Sequence, residues 1–220
     1  MPTIEKLDDN VWRVEGRIKS PPLHRVMTIA RLSDGGLVVH SAVALDDYAE
    51  LDALGTVKYI VVPNGWHRLD AKTYVDRYPN AKVIAPRGSK KRVEKIVRVD
   101  ASSLDDRDVR VVDAAGTRGL EAVMIVKTGT RTTLVFCDVI FNMPHKRGVP
   151  GFVFKHITQS SGGVKFSRIA RWFLIKDKPA FAAQLEQLAS QDVARVIVAH
   201  HEVIRNDPSG ELRRLASQLR

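Results

Sequence analysis

Tyr59-Ile60-Val61-Val62-Pro63-Asn64-Gly65-Trp66-His67-Arg68-Leu69-Asp70 joins two kinds of local structure. Its first four residues are apolar and mostly β-branched, a short run that reads as a buried strand. Pro63 has no N–H to give a strand ladder and Gly65 suits an abrupt turn, so the strand stops there. Beyond the turn Ala71, Tyr74, Val75 and Tyr78 recur at i, i+3, i+4 and i+7, one face of an amphipathic helix that Pro79 ends. The turn therefore lies at the carboxyl end of a strand, where folds of mixed α and β structure hold their chemistry. It carries Asn64, His67 and Asp70, each able to meet a metal ion or a substrate. Asp70 also stands where a helix N-cap is expected, the commoner use of an aspartate there. Asn64 suits the fixing of the turn through its own side chain.

Strands recur on both sides of this unit. Upstream, Val11-Trp12-Arg13-Val14 and Val26-Met27-Thr28-Ile29-Ala30-Arg31-Leu32 read as strands, and Leu37-Val38-Val39-His40 returns after the turn Ser33-Asp34-Gly35-Gly36 as the second arm of a hairpin. Leu45, Tyr48, Leu51 and Leu54 predict a short helix closed by Gly55. Downstream, Lys82-Val83-Ile84-Ala85 is a strand. Residues 87–95 predict a helix with Ser89 as N-cap and a basic outer face. Val109-Arg110-Val111-Val112, residues 121–126 and Thr132-Thr133-Leu134-Val135-Phe136-Cys137 are strands, the last ending at Asp138. Residues 141–151 read as loop, and Gly162-Gly163 interrupts the chain before the apolar stretch 169–175. Phe181, Leu185 and Leu188 share a helical face, Val193 to Ala199 forms a strand ending at His200, and Asp207-Pro208 opens a closing helix. Hairpin-rich halves closed by helices predict a sandwich of sheets with helices outside.

With 220 residues, no linker and no repeat, residues 1–220 are expected to form one domain. The hydrophobic fraction of 44% excludes global disorder. The start MPTIEKLDDN lacks the apolar core of a signal peptide, and no run approaches a membrane span. Cys137 is the only cysteine, so an intrachain disulfide is excluded. A cytoplasmic protein without a membrane partner is the expectation. The net charge of +10 suits an anionic partner without naming one. The basic run of residues 87–98 reads first as a solvated helix face and second as an anion or nucleic-acid patch.

Three strand ends thus offer Asn64 with His67, Asp138, and His200. Neutral imidazole and carboxylate are ligands that zinc, iron or manganese accepts, and a hydrolytic site leaves one position open. Asp138 follows a buried strand, an expensive place for an unpaired charge, so it needs a metal, a basic residue or backbone donors. His200 and His201 are adjacent on extended chain and point to opposite faces, so at most one joins Asp138. Cys137 faces away from Asp138 as packed core. His145 and His156 read as surface histidines.

Pro63-Asn64-x-x-His67, Tyr78-Pro79-x-Ala81, Asp138-x-x-Phe141-Asn142 and Ala199-His200 resemble an offshoot of the metallo-β-lactamase superfamily. The resemblance covers most of the chain and implies an α+β fold, a four-layer αβ/βα sandwich with its site at one edge of the two sheets. It implies Asp138 and His200 as surviving ligands. The superfamily's H-x-H-x-D-H loop is replaced by Asn64, Trp66, Arg68 and Leu69, with His67 between, and Thr117 stands where a mid-chain histidine is usual. Two functions follow. The first is a hydrolase with a reduced site, single-metal or empty. In it His67, Asp138 and His200 hold one divalent ion, and Asp138, His67 and Asn64 act on an unidentified small-molecule substrate. The second is a non-catalytic protein of the same fold that uses its cleft or basic surface for anionic ligands or nucleic acid. The sequence selects neither a substrate nor an oligomeric state.

Overall fold

The computed structural model describes residues 3–17 and 23–220. Sheet one contains β1 (Ile4–Asp8), β2 (Val11–Arg17), β3 (His24–Arg31), β4 (Leu37–His40), β5 (Val57–Val61) and β6 (Lys82–Ile84), paired in that order. Helix α1 (Ala49–Leu54) links β4 to β5, and α2 (Ala71–Arg77) links β5 to β6, so these three strands run parallel. The first four strands form antiparallel pairs. After α3 (Lys90–Val93), sheet two is built from β7 (Leu104–Asp105), β8 (Val109–Asp113), β9 (Ala122–Thr128) and β10 (Arg131–Phe136). A small hairpin, β11 (Phe141–Met143) with β12 (Gly163–Lys165), brackets α4 (Gly148–Phe152). Helix α5 (Lys178–Ala189) precedes β13 (Val193–Val198), which joins β10 in parallel, and α6 (Pro208–Ser217) ends the chain.

Alternation along the strands builds four layers. In β9 Ala122, Met124 and Val126 turn inward to meet Val26, Ala30, Val38 and Val61 of sheet one. Val123 and Ile125 turn outward onto Phe181, Leu185, Leu212 and Leu215 of α5 and α6. On the far side Met27, Ile29, Val39 and Ile60 pack against Leu51 and Tyr74 of α1 and α2. The order helix, sheet, sheet, helix is the expected αβ/βα sandwich.

Several expectations change. β1 is a strand that the polar start concealed, because as an edge strand it buries little of its length. Ser89 makes no cap hydrogen bond; its hydroxyl donates to Leu120 O at 2.7 Å, and α3 spans only four residues. Residues 141–151 are not loop throughout: β11 and α4 lie there. The apolar stretch 169–175 contains a wide π-helical turn, Ala170–Leu174, and α4 continues into a similar turn, Val153–Ile157. Glycines and prolines mask the period that would have shown these short turns.

Thr28 and His40 are cross-strand partners whose side chains face the inter-sheet core. Both are buried, and neither Thr28 Oγ1 nor either ring nitrogen of His40 has a hydrogen-bond partner among the described residues. Burial, with the nearby His67, pushes the His40 pKa down to about 3. The ring stays neutral in the folded protein while the unfolded chain takes a proton near pH 6.5, so stability falls as pH drops through the window between 6.5 and 3. Between pH 7 and pH 5 this contributes a loss of about 2 kcal/mol. Urea unfolding at the two pH values is expected to show that loss in the native chain and to show it reduced by a similar amount in His40→Leu.

Candidate metal centre

Strand ends converge at one edge of the sandwich. β4 and β5 run parallel, as do β10 and β13, and β9 begins where its antiparallel neighbour β10 ends. Main-chain bonds stitch the two sheets together here. Ala122 N–H donates to Pro63 O at 2.9 Å, and Val26 N–H donates to Ala199 O at 2.8 Å.

Two ring nitrogens and a carboxylate oxygen from different strand ends face one another. His67 Nε2 lies 3.2 Å from Asp138 Oδ1 and 3.2 Å from His200 Nε2, and His200 Nε2 lies 3.1 Å from the same Asp138 oxygen. His200 Nδ1 sits 2.8 Å from His24 O, which can only accept, so Nδ1 carries a hydrogen. The Nε2 of the neutral ring then presents a lone pair to the cluster. His67 Nδ1 is 2.9 Å from Ser41 Oγ, a partner at the end of β4 held in left-handed backbone at φ 57°. The His200 lone pair and the Asp138 oxygen repel unless a proton on His67 Nε2 or a cation lies between them. Bonds of about 2.0–2.2 Å to a zinc-like ion set ligand atoms roughly 3.0–3.5 Å apart, so the donor set fits such an ion. Burial alone would raise the Asp138 pKa, but the imidazoles of His67 and His200 hold its carboxyl well below the usual carboxylate range.

Beneath this trio lies a carboxylate that the sequence reading passed over. Glu121 is fully buried just before β9. Its Oε1 accepts from Cys137 N–H at 3.0 Å and Val139 N–H at 3.2 Å, and its Oε2 from Asp138 N–H at 2.9 Å and Asn64 Nδ2 at 3.3 Å. Burial and the Asp138 charge push its pKa up to about 8, while the backbone donors pull it down. Each of these partners is a donor, so the ionised form is the one the geometry accommodates. Glu121, at the head of the apolar run 121–126, is as expensive a place for an unpaired charge as Asp138 at the end of another.

Asn64 ties the layers together. Its Oδ1 accepts from Trp66 N–H at 2.9 Å and His67 N–H at 3.0 Å, fixing the turn as expected, while Nδ2 donates to Asp138 Oδ2 at 2.8 Å. Asp70 starts α2 but caps nothing with its side chain; Arg25, buried, donates to it at 2.6 Å and to Ala42 O at 2.7 Å. An ion pair thus replaces the expected cap. His201 turns away at φ 73° and stacks on His24 with ring centroids 4.6 Å apart. His145 and His156 are exposed, on the cap of residues 141–174. Thr117 is buried and donates to Ala114 O, and Gly116, at φ 73°, lies against the backbone of Asp177 where an added Cβ would sit 2.1 Å from its carbonyl oxygen. This segment anchors α5. Glu121, Cys137 and Asp138 also cluster, but Glu121 is taken up by its donors and burial pushes the Cys137 thiol up, keeping it protonated.

Asp138 and His200 of the trio line a cavity of about 280 Å³ together with Leu23, Trp66, Phe141, Phe154, Ile169 and Leu174. Phe141 stacks on His200, ring centroids 5.3 Å apart and planes 12° from parallel.

DIM-1 metallo-β-lactamase superposes on this chain with a TM-score of 0.65 at 12% identity, over 100% of this chain and 98% of that one. A metallo-β-lactamase from Pontibacter korlensis gives 0.63 at 11% identity, over 99% of each chain. The chain has the metallo-β-lactamase fold. At such identities the likeness carries the architecture alone. No family model and no curated relative matches the chain. Within this metallo-β-lactamase fold, the described residues of the sheet edge include two groups that could hold an ion, His67 with Asp138 and His200, and Glu121 with Cys137 and Asp138.

Glu121→Gln replaces one accepting oxygen with an NH2 group that faces backbone donors. Chemical unfolding is expected to show a loss of about 2–4 kcal/mol, since a buried charged acceptor disappears and leaves donors unpaired. A change below about 0.5 kcal/mol, the range of an ordinary surface substitution, would contradict the role given to Glu121.

Proposed function

We propose that this protein is a metal-dependent hydrolase with one divalent ion, held by His67 Nε2, Asp138 Oδ1 and His200 Nε2. The convergence of those three ligand-type atoms at 3.1–3.2 Å carries the reading. When bound, an ion of the zinc, iron or manganese type supplies Lewis-acid polarisation and a more acidic water. The chain's own residues do the rest. Asn64 Nδ2 holds the second oxygen of Asp138, so the carboxylate cannot swing away from the cluster. Ser41 and the His24 carbonyl fix the two imidazole rings through the nitrogen that is not a ligand. Phe141 covers one face of His200 and limits water there.

The apolar cavity beside the trio suits a substrate whose hydrolysable bond adjoins an acyl or aryl group. Its volume is at the lower end for a small-molecule pocket. Thr158, Ser160 and Ser167 supply the hydroxyls of an otherwise apolar wall and would orient a polar atom of that group. The basic side chains Arg68, Lys91, Arg92 and Lys95 form a separate surface, and Arg92 lies 5.3 Å from the ring centroid of Trp66, which also lines the cavity.

Zinc titrated against a chromophoric chelator tests the ligand set. Replacement of His67, Asp138 or His200 by alanine is expected to weaken binding at least on the order of 100-fold. Ser41→Ala, which only frees the His67 ring, is expected to cost about tenfold. A native chain that retains less than about a tenth of an equivalent after reconstitution would contradict the metal reading and favour a non-catalytic binding cleft.

A further inference from the structure

The cap built from α4, its continuation and the turn at 170–174 exposes apolar side chains that the interior does not use. Val149, Phe152 and Ile157 point outward from the first helical turn and Ile169, Trp172 and Phe173 from the second, with exposures of 79% at Val149, 68% at Trp172, 60% at Phe152 and 59% at Phe173. Their spacing is helical, while Phe154, Ala170 and Leu174 of the same turns point into the core. Arg168 N–H, just before the second turn, donates to Thr158 O at the end of the first at 2.8 Å and ties the two together. Exposed aromatics in such number mark a surface that is covered in use.

Charge selects the occupant. Residues 146–178 hold eight lysines and arginines and one acid, Asp177. Lys176 Nζ lies 5.9 Å from the Phe173 ring centroid and donates to Trp172 O at 2.9 Å, which puts a cation beside two of the exposed rings. A second copy of the chain would bring like charges face to face across a symmetric interface, which opposes self-association. A nucleic acid would meet the cations but leave Val149, Phe152 and Ile157 with nothing apolar to enter. Short amphipathic turns with aromatic side chains on one face and basic ones around it match the boundary of an anionic bilayer, where rings enter the headgroup layer and cations meet lipid phosphates.

We propose that this cap seats the protein peripherally on an anionic lipid surface. No helix among the described residues is long and apolar enough to cross a membrane, so the seat is a surface contact. It replaces the sequence-based expectation of no membrane partner. The cavity lies directly under the seat, since Phe154, Ile169 and Leu174 of the cap form its wall, and Ile169 belongs to both.

Co-sedimentation of the full chain with phosphatidylcholine vesicles, with and without phosphatidylglycerol, tests this. The chain is expected to pellet with the anionic vesicles, less so as salt rises, with a blue shift in tryptophan emission. Trp172→Ser combined with Phe173→Ser is expected to weaken partitioning on the order of tenfold or more. Lys155→Ala and Arg168→Ala are expected to cost roughly fivefold each on anionic vesicles only. All four residues are exposed, so melting temperatures of the variants should match the native chain. Absence of vesicle binding at low salt, binding indifferent to the Trp172 and Phe173 changes, or a stable dimer that shields Trp172 in solution would overturn the proposal.

Discussion

The carboxylate of Glu121 is the fixed point of this molecule's chemistry. A fully buried negative charge is tolerated only when donors surround it, and here the donors are the backbone of residues 137–139 and the side chain of Asn64. Those contacts determine where β10 ends and which way Asp138 points. Through Asn64 they also determine the turn that carries His67. One buried anion therefore aligns residues from both sheets, and a second anion, Asp138, stands on top of it facing two imidazoles. The arrangement concentrates negative charge and lone pairs at a single edge, which is the electrostatic condition for holding a cation.

The supports of that edge are stiff. Ser41 and His201 flank the site in left-handed backbone that side chains rarely adopt, the first directly after β4 and the second three residues past β13. Ser41 uses its position to reach His67, whereas His201 is turned aside so that His200 alone faces Asp138. Arg25 and Asp70 form a partly buried ion pair that attaches the start of α2 to β3. Around this rigid edge the cap of residues 141–174 is of a different character: short turns, wide helical windings, basic side chains and outward aromatics. Rigid donors below and an apolar, cationic cover above divide the labour between holding an ion and meeting an amphipathic surface.

Much of this was legible in the chain. The near-continuous apolar runs of β3, β9, β10 and β13 follow from burial on both faces, and the helical spacing in α2, α5 and α6 from burial of one, so the sandwich and its strand ends could be read. The gathering of His67, Asp138 and His200 followed from the resemblance and not from local spacing, because ligands drawn from three strand ends leave no short motif. Glu121 was missed because a single acid at a strand start looks like a surface residue until the partner strand end is known. Asp70 was misjudged because the competing cation, Arg25, lies 45 positions away in the chain. The cap escaped because turns of five residues, broken by Gly148, Pro150, Gly162 and Gly163, are too short to show a period.

The central claim is that one cation, and no more, completes the group formed by His67, Asp138 and His200. Crystals grown with zinc and measured on both sides of its absorption edge address it directly. A single anomalous peak is expected at this edge of the sandwich, within bonding distance of His67 Nε2, His200 Nε2 and Asp138 Oδ1. No peak there, a peak among Glu121, Cys137 and Asp138 instead, or a pair of peaks would contradict it.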